Sequence, residues 1–557
     1  MFTMDSLVFL AIAVAILFAA VQRGGDGART MSEKTHRAIC GAAIAAGVLV
    51  RLARLTSLPA GISAEEALVG VQAKALWQTG GFLFGQGLTT QLSQWVGETT
   101  GPLLAVLTAP FVGLFGMSKL TVRLPLALLS CAAMPAAYGL GEALSGRRAA
   151  RWMLLIAALC PIFVLEARMT CGSCAALYLL PIALCLIARG VTKPAALYPG
   201  MIALALTAYA QDMYFFIAPA AILACAIIAL VFGRKKRHAV ISGTIGLLLC
   251  VPAMLTAFVN LTGAEGMTLL GLIRIPRLEG FEKTFMAENR SVGDKLWAVL
   301  IGGVFQVLRH ENIHQAMYTP DGMLALFMFS LPLMALGALA LFARWTDGRR
   351  AVREKAAARA MAAATCAVTL AALVMFGSVG TLNTSGATGL FDHSALILFD
   401  AVLMTAGLCT IERKNLKCAA AMVALMAVNF AWLAVQLFGG SYQANANVYF
   451  PGFEQMAARA AEIQAETGEK INVTGNIYPH IQPSDGAEMM FLYATDADMR
   501  TAEAERGTRY ETIYVSDDMQ PEADQIYLAR ANEISNWDLE GFDYEESEGY
   551  VLIYPAR

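Results

Sequence analysis

The chain has 557 residues, of which 57% are hydrophobic and only 15% charged, with a mean hydropathy of +0.56. A soluble chain of this length carries about 25% charged residues, so the composition excludes a disordered or water-soluble globular protein and speaks against a nucleic-acid partner. The net charge of −2 averages two unlike parts: residues 451–557 hold 22 Asp/Glu and 7 Lys/Arg, which leaves 21 acidic and 34 basic residues in 1–450. A basic membrane part is joined to an acidic soluble tail.

In chain order, apolar runs appear near 6–22, 38–56, 102–116, 121–143, 150–166, 172–188, 196–210, 213–232, 239–260, 323–343, 357–377, 390–411 and 417–438. The first lacks a basic n-region and reads as a helix that stays in place, not as a cleaved signal. Lys/Arg clusters mark cytoplasmic loops: Arg23 to Arg37, Arg234-Lys235-Lys236-Arg237, Arg344 through Arg359, and Arg413-Lys414 with Lys417. Residues 57–101 then lie outside. Parity requires one of the next four runs not to cross, and 102–116 is the weakest, with 15 residues and two prolines, Pro102 and Pro110. Laid along the surface, it leaves Arg147, Arg148 and Arg151 inside and puts Arg123 and Arg168 outside. The expectation is a mainly α, polytopic bundle of about 12 spanning helices in the cell membrane, with long outer loops at 57–120 and 261–322. A small α/β domain follows at 440–557 on the extracytoplasmic side. Its best elements are a helix from Phe453 to Ala465 and strands at Ile471-Asn472-Val473, Ile513-Tyr514-Val515 and Tyr550 to Tyr554.

None of the 11 cysteines lies in the tail, and most sit inside apolar runs, where Cys acts as a small hydrophobe. Cys171 and Cys174 form a CxxC without the second pair that a zinc site needs.

Carboxylates are scarce in the membrane part, so those near its outer surface are informative. Glu65 and Glu66 follow directly on a spanning helix, and Glu98 stands in Gly97-Glu98-Thr99-Thr100-Gly101-Pro102-Leu103. A carboxylate held in a partly desolvated cleft can act as general base on a hydroxyl. The same residues also suit a helix start with acidic residues in its first turn. Both readings stand on these residues alone.

The surrounding series resembles the integral-membrane GT-C glycosyltransferases, especially the protein O-mannosyltransferase and aminoarabinose-transferase-like branch. The matching pieces are Leu58-Pro59-Ala60-Gly61, Glu65-Glu66-Ala67, Glu98, Gly101-Pro102-Leu103, Phe115-Gly116 and Val122-Arg123-Leu124-Pro125-Leu126-Ala127. Pro161 through Arg168 and Tyr209 to Pro219 continue the series, which spans roughly 40–440. Glu65 stands where that family usually has Asp, and His393 stands near an Asn-Arg element of relatives. The resemblance implies a catalytic membrane module at 38–260, preceded by an extra helix and cytoplasmic loop at 1–37. It is followed by an outer loop at 261–322 with interfacial helices, spanning helices at 323–439 and the tail.

By the same resemblance the chain moves a sugar from a polyprenyl-phosphate-linked donor to an acceptor, whether wall polymer, lipid or protein, at the outer membrane face. Glu65 would be the base, with Glu66 and Glu98 orienting it or shaping the sugar site. Arg123 and Arg168 would bind the lipid phosphate, since guanidinium groups pair with phosphate as a fork; they can equally snorkel from helix ends. Asp212 and His393 would contact sugar or acceptor, and Arg274 and Arg277 would lie in a loop over the lipid groove. No cofactor is expected, and a divalent metal remains compatible. A rival signal is His310-Glu311-Asn312-Ile313-His314, the H-E-x-x-H pattern of zinc proteases, although no third ligand follows it at a suitable distance. A third reading is a non-catalytic relative that binds lipid-linked sugar.

Overall fold

The computed structural model describes residues 4–22, 31–83, 87–92, 101–170, 174–211, 213–277, 293, 324, 326–346, 353–376, 394–439, 450–475, 485–516 and 518–556. Helices dominate the first four fifths. After α1 (Met4–Gln22), α2 (Glu33–Leu52) starts where the Ser32 hydroxyl accepts the Thr35 amide. It is followed by α3 (Ala64–Thr79), the two-residue strand β1 (Leu88–Thr89), α4 (Leu103–Phe115) and α5 (Lys119–Ser145). The 27 residues of α5 extend about 40 Å at 1.5 Å per residue, enough to cross a hydrocarbon core of about 30 Å. The 13 residues of α4 reach only about 20 Å.

Next come α6 (Arg147–Leu159), α7 (Pro161–Leu165), α8 (Cys174–Gly190), α9 (Leu197–Leu206), α10 (Tyr214–Phe232) and α11 (Lys236–Thr262). The apolar run expected as one helix over 150–166 is two helical pieces meeting at 60°. Proline has no N–H to give the preceding turn and disfavours a helical residue before it. Cys160 accordingly takes an extended conformation and Pro161 opens the second piece. A short hairpin, β2 (Met267–Leu269) and β3 (Ile273–Ile275), stands beyond α11, and β3 also pairs in parallel with β1. The later helices are α12 (Ser330–Thr346), α13 (Arg353–Phe376), α14 (Ser394–Lys414) and α15 (Leu416–Phe438).

Among the described residues, α2, α5, α10, α11 and α15 are long and apolar enough to cross a membrane, and the bent pair adds a sixth span if taken as one. Within the bundle α5 packs on α6 and α8, α10 on α11 and α13, and α12 on α14. The last pair approaches backbone to backbone. A Cβ on Gly337 would fall 1.9 Å from the Leu403 carbonyl oxygen, and one on Gly407 2.3 Å from that of Leu333. Small residues at such crossings are how helices associate in lipid, where no hydrophobic effect drives them together.

Residues 450–556 form the α/β unit: α16 (Pro451–Thr467), β4 (Lys470–Thr474), α17 (Asp485–Ala494), α18 (Ala502–Glu505), β5 (Tyr510–Ile513), β6 (Gln525–Arg530), β7 (Phe542–Ser547) and β8 (Tyr550–Pro555). The sheet order is β5-β4-β6-β8-β7, with β4, β5 and β6 parallel and the last two antiparallel. The central strands are buried, as parallel strands usually are. Phe453, Met456, Met490, Leu528 and Leu552 share one hydrophobic cluster with Ile62, Leu68 and Val71, so the unit packs directly on α3. That contact brings the acidic tail against the helix that begins with the two adjacent glutamates.

Candidate functional site

The site begins at the end of α2, whose last carbonyls have no partner within the helix. Three buried arginines supply donors there. Arg168 Nη1 donates to the carbonyls of Val50 (2.6 Å) and Arg51 (3.2 Å), while Nη2 reaches those of Leu58 (2.9 Å) and Arg54 (3.4 Å). Its guanidinium also lies 5.6 Å from the Phe438 ring centre, within cation–π range. Arg51 reaches back to Gly47 O at 2.9 Å and across to the carbonyls of Ala157 (2.7 Å), Ala158 (3.1 Å) and Phe163 (2.7 Å), capping the broken end of α6.

Arg123 is the third. Nε donates to Glu66 Oε1 and Nη2 to Glu66 Oε2, both at 2.8 Å. The remaining donors go to the carbonyls of Leu55 (3.1 Å), Pro59 (3.0 Å) and Gly61 (2.7 Å). A guanidinium has five N–H groups, and these contacts use all of them. Arg123 and Arg168, expected at a lipid phosphate, therefore turn their guanidinium groups onto the backbone of loop 53–61 and onto Glu66.

Loop 53–61 delivers the chain to a capped helix. The Ser63 hydroxyl accepts the Glu66 amide at 3.2 Å and Glu66 Oε2 accepts the Ser63 amide at 3.2 Å, the reciprocal capping box. Glu66 also takes the Thr170 amide at 3.2 Å. It is only 1% exposed, and its ion pair with Arg123 is shielded from solvent on both sides. Every oxygen of Glu66 is thus engaged in holding the loop and the start of α3.

Glu65, one residue earlier, stands differently. It is half-buried, and its Oε2 is enclosed without a hydrogen-bond partner among the described residues. A buried polar atom without a protein partner is uncommon in a folded protein and calls for an explanation. Within electrostatic range lies Glu166, a buried carboxylate that the sequence reading passed over. It accepts the thiol of Cys174 at 2.7 Å. The only signal available beforehand was its place in the Pro161–Arg168 element, next to Arg168.

Around this pair the described residues close one end of the bundle. A Cβ on Gly101 would meet Tyr209 O at 2.2 Å, so the start of α4 abuts the segment before α10. Gln91 is buried with neither amide atom hydrogen-bonded, and Gln72 donates nothing from Nε2 while its Oε1 accepts the Leu83 amide. Arg274 and Arg277, on and just after β3, are exposed. From the tail, Glu454 meets Lys119 at 2.7 Å, and the same ammonium donates to Ala60 O at 2.8 Å. Lys74 bonds Asp496 at 2.6 Å and Gln78 accepts the Met499 amide at 2.9 Å. Tyr493 packs onto Gly70, and burial holds its phenol well above the ordinary tyrosine range.

Glu98, Asp212 and His393 lie outside the described residues, as do Cys171 and the whole of His310 to His314. Among the described residues no group of three or more His, Cys, Asp or Glu is placed to hold a metal ion.

No family model matches the chain, and no curated protein matches it by sequence. Among solved structures it is similar to ArnT from Cupriavidus metallidurans bound to undecaprenyl phosphate, with a TM-score of 0.47 and 12% identity over 93% of this chain and 98% of that one. It is also similar to the archaeal oligosaccharyltransferase AglB from Archaeoglobus fulgidus in complex with an inhibitory peptide and a dolichol-phosphate. There the TM-score is 0.44 and the identity 11%, over 83% of this chain and 63% of that one.

Proposed function

We propose that the chain is a GT-C-like membrane glycosyltransferase that moves a sugar from a polyprenyl-phosphate donor to an acceptor hydroxyl at the extracytoplasmic face. One observation carries the reading: two adjacent carboxylates start the same helix, Glu66 fully engaged and Glu65 with an enclosed oxygen left unpartnered. In this reading Glu65 takes the proton of the acceptor hydroxyl as that oxygen attacks the anomeric carbon. The bond from that carbon to the phosphate oxygen breaks, and the polyprenyl phosphate leaves with the electron pair.

Glu66, Arg123 and Arg168 act through the loop they hold. Among the described residues Arg54 in loop 53–61, Arg274 and Arg277 are exposed at this end, and the reading gives the donor's phosphate to Arg274 and Arg277. Glu98 shapes the sugar site, and Asp212 and His393 contact sugar or acceptor. About 12 spanning helices place the acidic tail outside the cell membrane, over the site. The reading calls for no organic cofactor, and a divalent cation is compatible with it.

The test uses the full chain in lipid nanodiscs with a panel of undecaprenyl-phosphate hexoses and pentoses, reading release of undecaprenyl phosphate. General-base loss removes about 10²–10⁴-fold of rate, so Glu65→Gln is expected to lose at least 100-fold while keeping its melting temperature. Full turnover by Glu65→Gln would overturn the assignment of the base. A biological role that survives Glu65→Gln with no release from any donor would favour a lipid-linked-sugar binder instead.

A further inference from the structure

Five residues after α11 ends at Thr262, the chain enters the β2–β3 hairpin at Met267. The base of the hairpin is firmly seated. Ile275 is fully buried, and Asn260 Nδ2 donates both to Thr256 O (2.8 Å) and to Pro276 O (3.0 Å). β3 pairs with β1, the Thr90 amide donates to Arg274 O at 3.3 Å, and the Thr90 and Thr256 hydroxyls meet at 2.6 Å.

The tip is the reverse. Leu270 is 86% exposed, Leu272 68% and Met267 41%, and Leu88 on the paired strand is 40% exposed. The Leu272 amide closes the turn on Leu269 O at 3.0 Å, and both central residues are left-handed, Leu270 at φ 53° and Gly271 at φ 68°. That geometry normally recruits Asn-Gly or Asp-Gly, because a short polar side chain tolerates it and faces water. A leucine there is disfavoured by the backbone and, in water, by its own exposure. An apolar side chain at an outward turn fits an apolar surrounding.

We propose that Leu269-Leu270-Gly271-Leu272 is an interfacial wedge, entering the acyl region of the leaflet at this end of the bundle. Two features point to lipid. The hairpin continues from α11, a helix long and apolar enough to cross a membrane, whose Leu248, Met254 and Phe258 are exposed. Arg274 and Arg277, exposed on the same short segment, suit the phosphate level, where basic and apolar side chains combine in interfacial binding. Through its pairing with β3, the wedge sets the depth of β1 relative to the bilayer. The proposal rests on the fold and not on the transferase reading.

The test is a spin label on Leu270→Cys, and separately on Leu272→Cys, in the full chain in phosphatidylglycerol-containing nanodiscs. Tyr514→Cys on the tail serves as the water-facing reference, and the parent chain carried through the same labelling is the blank for its own cysteines. Power saturation is expected to give both hairpin labels several-fold higher accessibility to oxygen, relative to a water-soluble nickel chelate, than the label at 514. Labels at 270 and 272 that match 514 would overturn the wedge, as would labels shielded from both reagents, which would mean that protein covers the tip.

Discussion

Each end of α2 stands beside a buried arginine–carboxylate pair. At its start, Arg151 donates to Glu412 at 2.5 Å, Trp152 Nε1 donates to the same oxygen at 2.8 Å, and Arg148 approaches the other at 3.6 Å. His36 Nδ1 meets Arg151 at 3.0 Å and Nε2 meets the Tyr138 hydroxyl at 3.2 Å, which joins α2, α5, α6 and α14. At its other end stands Glu66 with Arg123. Both carboxylates are 1–2% exposed and engaged at both oxygens. The difference lies next door: among the described residues, only the Glu66 end has a neighbouring carboxylate, Glu65, with an oxygen left unpartnered. Fully paired buried ions set register between distant elements; the incompletely paired Glu65 beside them is the group to which the proposed mechanism gives the proton transfer.

The sharpest way to break this contrast is to neutralise the two adjacent glutamates separately. Glu65→Gln should cost turnover at unchanged stability. Glu66→Gln strands the Arg123 guanidinium in a buried site, where breaking such a pair costs about 3–5 kcal/mol. It should lower the melting temperature in nanodiscs and the yield of folded protein. Equal destabilisation by both variants would erase the distinction between frame and reactive group.

The opposite end sharpens it further. Arg151→Met should destabilise by a similar amount, about 3–5 kcal/mol, yet leave turnover per folded molecule intact. Arg151→Met combined with Glu412→Leu should recover much of the loss, because replacing a whole buried pair by apolar groups is often neutral. A turnover loss on the scale of Glu65→Gln would show that this end is more than architecture.

Much of this was legible in the sequence, and the remainder had physical reasons not to be. Ser63-Ala64-Glu65-Glu66 spells a capping box, so the helix start could be read locally, and charge scarcity singled out Arg123 and Arg168. Their partners could not be read. Arg123 closes on carbonyls more than 60 residues away, and Arg51 and Glu412 act over 107 and 261 residues. No local pattern encodes such pairings. Glu166 sat inside an apolar run and passed as part of a helix until Pro161 was seen to break it. In the tail, the strands at 470–474 and 550–555 match the apolar runs, and helix 451–467 extends the expected one by two residues at each end. β5 instead falls at Tyr510–Ile513, three residues before the apolar Ile513-Tyr514-Val515. As an edge strand it takes polar residues, and pairing with β4, not apolar content, sets its register.

The same contrast of engaged and exposed groups gives the tail a pH signature. Buried Glu488 accepts the Tyr510 hydroxyl at 3.1 Å and pairs with Arg506 at 3.1 Å. Burial first, and then the Glu488 charge, hold the Tyr510 phenol above its ordinary value. A raised native pKa means stability that is present below about pH 10, where an unfolded tyrosine ionises, and lost as pH rises beyond it. The melting temperature read by tail circular dichroism should fall from about pH 10 upward, and Tyr510→Phe should flatten that fall. An unchanged slope would mean that the phenol is solvated in the native state.

The smallest expected effect is the most informative about why the tail sits where it does. The Lys119–Glu454 pair is 21% and 27% exposed, so removing it should cost less than about 1 kcal/mol of stability. The Lys119 ammonium nevertheless also holds Ala60 O, in the loop that Arg123 fixes and that leads into Glu65. A small shift of that loop would move Glu65, the base of the proposed mechanism, and a 1 Å misplacement costs about 100-fold. Lys119→Met is therefore expected to lower kcat by about 3- to 10-fold, with the KM for the lipid donor and the melting temperature nearly unchanged. Lys119→Arg should restore most of it, and Glu454→Gln should act in the same direction more weakly, because it leaves the bond to Ala60 in place. An unchanged kcat in Lys119→Met would reduce the tail to a cover packed on α3, and would leave the loop held by Arg123 and Glu66 alone.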